Sequence, residues 1–206
     1  MVERQFPSQP SRPPSANAAK LALRDQLLAA RRRRPLVEVG EAARAIAAHV
    51  LAATEVRRAA TVAAYVSVGT EPGTSDLLDD LVAAGKRVIL PVLQPDLDLD
   101  WATYEGRTSL APAGRGLLEP LGPRRGHDAV ATADVVLVPG MAVSSTGMRM
   151  GRGGGSYDRT LGRVPVGTPV WVLLYDDEVG RVVPAEPHDR TVTGAVTPGG
   201  LVRFAG

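Results

Sequence analysis

From residue 17 onward the chain switches repeatedly between two hydrophobic periods. Leu21, Leu28 and neighbouring apolar residues fall on one face at helical spacing between Asn17 and Arg34. Asn17 is placed to cap that helix and Pro35 to stop it. A second helical stretch, about 38 to 53, brings Ala43, Ile46, Ala47 and Val50 together. The period then shortens. TVAAYVSV (61–68) is short, β-branched and bounded by Gly69, the pattern of a buried strand. SDLLDDLVAA (75–84) reads as a helix capped by Ser75 and ended by Gly85, and the strands KRVILPVL and LDLDWATY follow. Residues 106–128 form a loop-rich region, after which DVVLVPG (134–140) is the clearest buried strand. YDRTLG suits a short helix ended by Gly162; PVWVLLY (169–175) is a strand and TVTGAVT (191–197) an edge strand.

Continuously apolar strands alternating with helices predict a mostly parallel sheet covered on both faces. The expected fold is a single-domain α/β three-layer sandwich spanning residues 17–206, preceded by a disordered Pro- and Ser-rich arm over 1–16. A length of 206 residues suits one such core. With an aromatic content of 4%, that core must be built from Val, Leu and Ala. Zero cysteines exclude disulfides, thiolate metal sites and a cysteine nucleophile. No apolar run is long enough to span a bilayer, and the N-terminus has no signal-like segment. A cytoplasmic protein is expected. The +2 net charge is uneven: residues 1–60 hold 11 basic and 5 acidic side chains, the remainder 13 and 17. Much of the excess is Arg31–Arg34, which lacks interleaved aromatics and so predicts a solvated helix end, not a nucleic-acid patch.

The candidate chemistry lies in GMRMGRGGGSYDRTLG, residues 147–162. Five of its first nine residues are glycine, and Arg149 and Arg152 stand among them. No Walker lysine is placed for a P-loop, and the run begins too far after its strand for a dinucleotide-binding turn. The composition still points to phosphate. Successive glycines let N–H groups converge on an anion, a following helix adds its N-terminal dipole, and the two arginines can fork onto phosphate oxygens. Asp158 could then hold Mg2+ beside nucleotide oxygens, or merely cap the helix.

This stretch resembles the signature of the 5-formyltetrahydrofolate cyclo-ligase (methenyltetrahydrofolate synthetase) family. The resemblance extends to Lys20 and Arg24 at i,i+4, to YVSVGTEPGT with Glu71 and Thr74, to GKRVILP, GLLEP (116–120), VVLVPG and the late PHD (187–189). It implies an enzyme, a ligase of one-carbon metabolism that closes a C–N bond in a ring. The small-molecule partners would be ATP, as co-substrate, and a reduced folate, with Mg2+ required and neither nucleic acid nor membrane involved. The formyl oxygen of 5-formyltetrahydrofolate would be phosphorylated, N10 would close on the activated carbon, and ADP and phosphate would leave. By the same resemblance ATP contacts fall on Lys20, Arg24 and the run Arg149, Met150, Gly151, Arg152, Gly153, Gly154, Gly155, Ser156 and Tyr157. Mg2+ falls on Asp158, with Asp189 a second candidate, and folate on Val66 and Glu71.

No protein nucleophile is implied; Arg149 and Arg152 would act by positioning and charge. His49, His127 and His188 show no ligand spacing. Two positions depart from the family pattern, which often has Lys at Gly154 and Tyr at Ser156. They leave room for a divergent paralogue acting on another formyl compound, or for a nucleotide-binding protein without turnover.

Overall fold

The computed structural model describes residues 16–186 and 189–204. The expected N-terminal arm lies outside them, except that Ala16 already opens the first helix. In chain order the helices and strands are α1 (Ala16–Arg32), α2 (Leu36–Ala52), α3 (Thr54–Arg58), β1 (Thr61–Ala63), α4 (Ser75–Ala83), β2 (Arg87–Leu93) and β3 (Leu99–Thr103). There follow β4 (Leu110–Pro112), β5 (Leu118–Pro120), β6 (Val135–Pro139), β7 (Ala142–Val143), β8 (Arg149–Met150), α5 (Ser156–Leu161), β9 (Val170–Leu173), β10 (Gly194–Thr197) and β11 (Gly200–Arg203).

Seven strands form one sheet in the order β11-β10-β9-β6-β1-β2-β3. The five inner strands are parallel, with Val62 opposite Val88 on one side and Val135 on the other. An antiparallel strand closes each edge. The protein is thus a single α/β domain with a mostly parallel sheet, as the alternation of apolar runs and helices implies.

Strict two-residue alternation sorts the core. Val62, Val88, Leu90, Val135 and Leu137 meet Ile46, Ala47, Val50, Val56, Leu77, Leu78 and Leu81 from α2, α3 and α4. Ala63, Ile89, Val136 and Val138 point to the opposite face, where Val130 and Leu161 cover them. That second layer is thin: 3-10 turns over His127–Thr132 and the six-residue α5. Helix α1 packs on neither face. Its Leu27 joins Met141, Ala142 and Met150 over the small β7–β8 hairpin.

Several local expectations give way to tertiary demands. Asn17 lies inside α1 and does not cap it. Neither does Ser75 cap α4; Thr74 precedes it, and its hydroxyl instead donates to the Tyr65 carbonyl at 2.8 Å and accepts the Ser67 N–H at 2.9 Å. Gly85 does end α4, with φ at 77°. Only three residues of 61–68 are strand, because the rest turns outward over the end of the sheet. The segment expected at a sheet edge, β10, is interior, since the antiparallel β11 pairs beyond it.

The largest correction concerns Arg31. Its side chain is buried, forming a two-point ion pair with Glu178 at 2.6 and 2.7 Å and donating to the Gly140 carbonyl at 2.8 Å. Arg34 pairs with Asp177, its guanidinium 4.1 Å from the Tyr175 ring centroid. Arg32 and Arg33 remain exposed. Two of the four arginines thus bind α1 to the turn after β9. Among the described residues no helix is long and apolar enough to cross a membrane.

Candidate active site

With the central strands parallel, β1, β2, β6 and β9 all end on one side of the sheet. From β1 the chain crosses to β2 on one flank and returns to β6 on the other, so the loops after β1 and β6 diverge and leave a crevice. A cavity of about 920 Å3 opens there. Every residue that the resemblance gives a ligand lines it: Lys20 and Arg24 from α1, Val66 and Glu71 from the loop after β1, the run Arg149–Tyr157 with Asp158, and Asp189. Residues from four separate parts of the chain converge because the sheet order brings their connecting loops to one end.

The glycine run crosses the cavity from β8 to α5. None of the backbone N–H groups from Gly151 to Gly155 donates to an acceptor among the described residues. Five adjacent donors without partners among the described residues, in a wall of the cavity, form a surface ready for an anion. Two glycines have visible reasons. A Cβ on Gly151 would sit 2.7 Å from Nη1 of Arg149, and Gly155 holds φ at 70° as the residue before α5.

The cations are arranged at different depths. Arg149 is buried; its Nη1 donates to the Pro139 carbonyl at 3.1 Å, its Nη2 to Oδ1 of Asp158 at 3.0 Å, and its Nε has no partner among the described residues. Arg152 is half-exposed, with Nε 3.1 Å from Oε1 of Glu71 and Nη2 donating to the Val68 carbonyl at 3.1 Å. Arg24 donates from Nε to the Gly151 carbonyl at 3.0 Å, so α1 supports the loop from beneath. Lys20, also buried, donates to Oε2 of Glu186 and Oδ2 of Asp189, both at 2.6 Å. Burial alone would lower its pKa, but these two carboxylates hold it above the usual lysine value.

Glu71 is 7% exposed. Burial raises its pKa, opposed by the Val68 N–H donated to Oε2 at 2.8 Å and by the charge of Arg152. Two phenols share the cavity lining with it, Tyr65, which is buried, and Tyr157, which is partly buried. Burial, with the negative charge of Glu71, pushes both Tyr65 and Tyr157 well above the usual tyrosine range, so both remain neutral donors.

Among the described residues no three His, Asp or Glu side chains gather in metal-binding geometry. A protein cage for a metal is therefore not formed, whereas one or two carboxylates beside a polyphosphate is the donor set that Mg2+ uses. Asp158 fits this: Arg149 and the Arg190 N–H, at 3.4 Å, both reach Oδ1, and no bond to Oδ2 is formed. Asp189 is already occupied by Lys20 and by the Glu186 N–H at 2.7 Å. His49 and His127 contact the Pro198 and Leu99 carbonyls and do not line the cavity; His188 and Pro187 lie outside the described residues.

The 5-formyltetrahydrofolate cyclo-ligase family matches residues 16–198, nearly the whole described chain. The chain belongs to this family. Its relatives include the 5-formyltetrahydrofolate cyclo-ligase of Mycolicibacterium smegmatis, 46% identical over 67% of this chain and 73% of that protein. The Escherichia coli (strain K12) protein of the same name is 34% identical over 67% of this chain and 78% of its own length. Among solved structures, the 5,10-methenyltetrahydrofolate synthetase of Aquifex aeolicus superposes with a TM-score of 0.79 at 25% identity, over 91% of this chain and 93% of that one.

As a cyclo-ligase fold, the cavity includes walls that sequence reasoning passed over. The β4–β5 hairpin, hidden in the stretch read as loop-rich, contributes Arg115, Leu117, Leu118 and Glu119; Oε1 of Glu119 accepts the Leu93 N–H at 2.9 Å. Arg159, Arg190 and Tyr65 also line it. Tyr65 adjoins Val66 in the quoted YVSVGTE stretch, and its residue type was the available signal. The hairpin gave no periodic signal, because each of its strands is three residues long, and only the resemblance of GLLEP (116–120) marked it.

Proposed function

We propose that this protein is a 5-formyltetrahydrofolate cyclo-ligase that uses ATP and Mg2+ to form 5,10-methenyltetrahydrofolate, ADP and phosphate. The observation that carries the reading is the row of unpartnered N–H groups from Gly151 to Gly155 flanked by Arg149 and Arg152, in one cavity with the buried carboxylate of Glu71. Such a row binds phosphate oxygens, and an acidic group in an apolar pocket accepts the amino and ring N–H donors of a pterin.

A formamide oxygen is a poor leaving group. In the proposed reaction it attacks the γ-phosphorus of ATP, and the bond from that phosphorus to the bridging β-phosphate oxygen breaks to release ADP. N10 then adds to the activated formyl carbon, loses its proton, and the C–O bond to phosphate breaks. The chain's part is positioning and charge compensation. The glycine N–H groups and Arg152 hold the polyphosphate, Arg149 fixes Asp158, and Arg24 fixes the loop through the Gly151 carbonyl. Lys20 would meet phosphate by exchanging one of its carboxylate partners. Mg2+, when bound, supplies neutralising charge on the phosphate oxygens; Asp158 is the residue to hold it, with Asp189 as a second ligand. Val66 would line the face of the pterin beside Glu71.

The test is direct. Purified protein with 5-formyltetrahydrofolate, Mg2+ and ATP should generate the methenyl absorbance in an ATP-dependent way. If ATP binds by calorimetry and no methenyl product forms, the substrate assignment is wrong.

A further inference from the structure

Among the described residues lining this cavity two buried side-chain polar atoms have no hydrogen-bond partner, Nε of Arg149 and the hydroxyl of Tyr65, and only the second can be removed without touching a charge. Tyr65 is 3% exposed, its ring packs in the core cluster with Ala64, Leu90 and Leu137, and the residue lines the cavity beside Val66 and Glu71. Yet its Oη is buried and has no hydrogen-bond partner among the described residues. Leaving a buried hydroxyl unpaired costs free energy that a phenylalanine at the same place would avoid, so folded proteins rarely keep one without a use. The backbone of Tyr65 is anchored on both sides: its carbonyl accepts from Thr74 Oγ1 at 2.8 Å, and the preceding Ala64 N–H donates to the Ile89 carbonyl at 3.0 Å.

Its chemistry is also restricted. Glu71, Glu178 and Tyr157 set negative or neutral neighbours around it, against the single positive contribution of Arg31. The phenol therefore stays protonated and offers one O–H donor. Glu71 as a carboxylate offers only acceptors. Tyr65 and Glu71 thus bring a donor and an acceptor to residues that line one cavity.

We infer that the Tyr65 hydroxyl donates a hydrogen bond to a carbonyl oxygen of the bound reduced folate, and is a specificity-determining residue that the apo cavity leaves unsatisfied until the ligand arrives. The inference rests on the functional reading given above. Two carbonyls of the substrate could serve: the pteridine ring carbonyl, adjacent to the N–H donors that Glu71 accepts, and the N5 formyl group itself.

The experiment is calorimetric binding of 5-formyltetrahydrofolate and of tetrahydrofolate, which lacks the formyl group, to the wild-type protein and to Tyr65→Phe, with thermal unfolding of both. Phenylalanine keeps the ring and removes only Oη. The expected result is about a ten-fold loss of folate affinity, ATP affinity unchanged, and an unfolding midpoint equal to or above wild type. Equal loss for both ligands assigns the ring carbonyl; loss confined to the formylated ligand assigns the formyl oxygen. Unchanged affinity for both overturns the inference, and a lowered midpoint alongside it gives the hydroxyl a purely structural role. If the wild-type protein binds neither folate, the functional reading itself fails and this inference falls with it.

Discussion

Replacing Arg31 by methionine removes a guanidinium that is fully enclosed. Its side chain is 0% exposed and that of Glu178 is 1%, and the pair makes two bonds at 2.6 and 2.7 Å. The Gly140 carbonyl would lose its 2.8 Å donor as well. The Glu178 carboxylate would remain buried with only the Tyr175 N–H, at 3.0 Å, on Oε2. Removing one partner of a buried pair costs about 3–5 kcal/mol, because the other charge is left uncompensated. For a chain of this size each kcal/mol moves the midpoint by about 2–4 °C, so Arg31→Met should unfold roughly 6–20 °C below wild type. Adding Glu178→Gln should recover much of the loss, since the amide oxygen still accepts from Tyr175 and no charge stays buried. The exposed neighbours are the controls: Arg32→Ala and Arg33→Ala should each stay within about 0.5 kcal/mol. Denaturant titration with circular dichroism reads all four. If Arg31→Met behaves like the two controls, the pair is not holding α1 to the turn after β9, and the reasoning from burial is refuted.

Other outcomes are expected at the site. Asp158→Ala should lower turnover at least ten-fold and raise the Mg2+ concentration needed for half-activity; an unchanged Mg2+ dependence would remove Asp158 as the metal ligand. Glu71→Gln should weaken folate binding about 10- to 100-fold, the value of bonds to a charged group, and leave ATP binding within a few-fold by calorimetry. Glu71 also carries a pH signature. Burial raises its pKa, so just above the ordinary carboxylate range the folded protein keeps a proton that the unfolded chain has lost. The contribution of this group to stability therefore falls as pH rises through that window, and folate affinity falls as pH drops through it; the glutamine variant should lose both dependences. Gly154 has an ordinary φ, and a Cβ there would come no closer than 3.6 Å to Ser156 Oγ. Gly154→Lys should accordingly fold normally and tighten ATP several-fold, whereas Gly153→Ala, at φ 101°, should be destabilised by about 1–2 kcal/mol in thermal unfolding.

Periodicity and composition alone determined the fold class and the alternation that sorts the two sheet faces, because side chains of a strand point alternately up and down whatever lies beyond them. The glycine run also announced a backbone that must approach an anion closely, and Arg149 and Arg152 announced its sign. Which distant residues would join that loop was legible from the motif resemblance, and periodicity said nothing of it. Tertiary structure decided the remainder. It set Arg31 in the core while Arg32 and Arg33 stayed in water, because one helix position in every three or four faces the hairpin and Glu178 happens to meet it there. It placed β10 inside the sheet by adding β11, and it buried Tyr65 Oη without a partner. Burial and pairing are properties of what packs from elsewhere in the chain. A local sequence pattern carries a residue's preference, and only the neighbours brought by the fold decide what satisfies it.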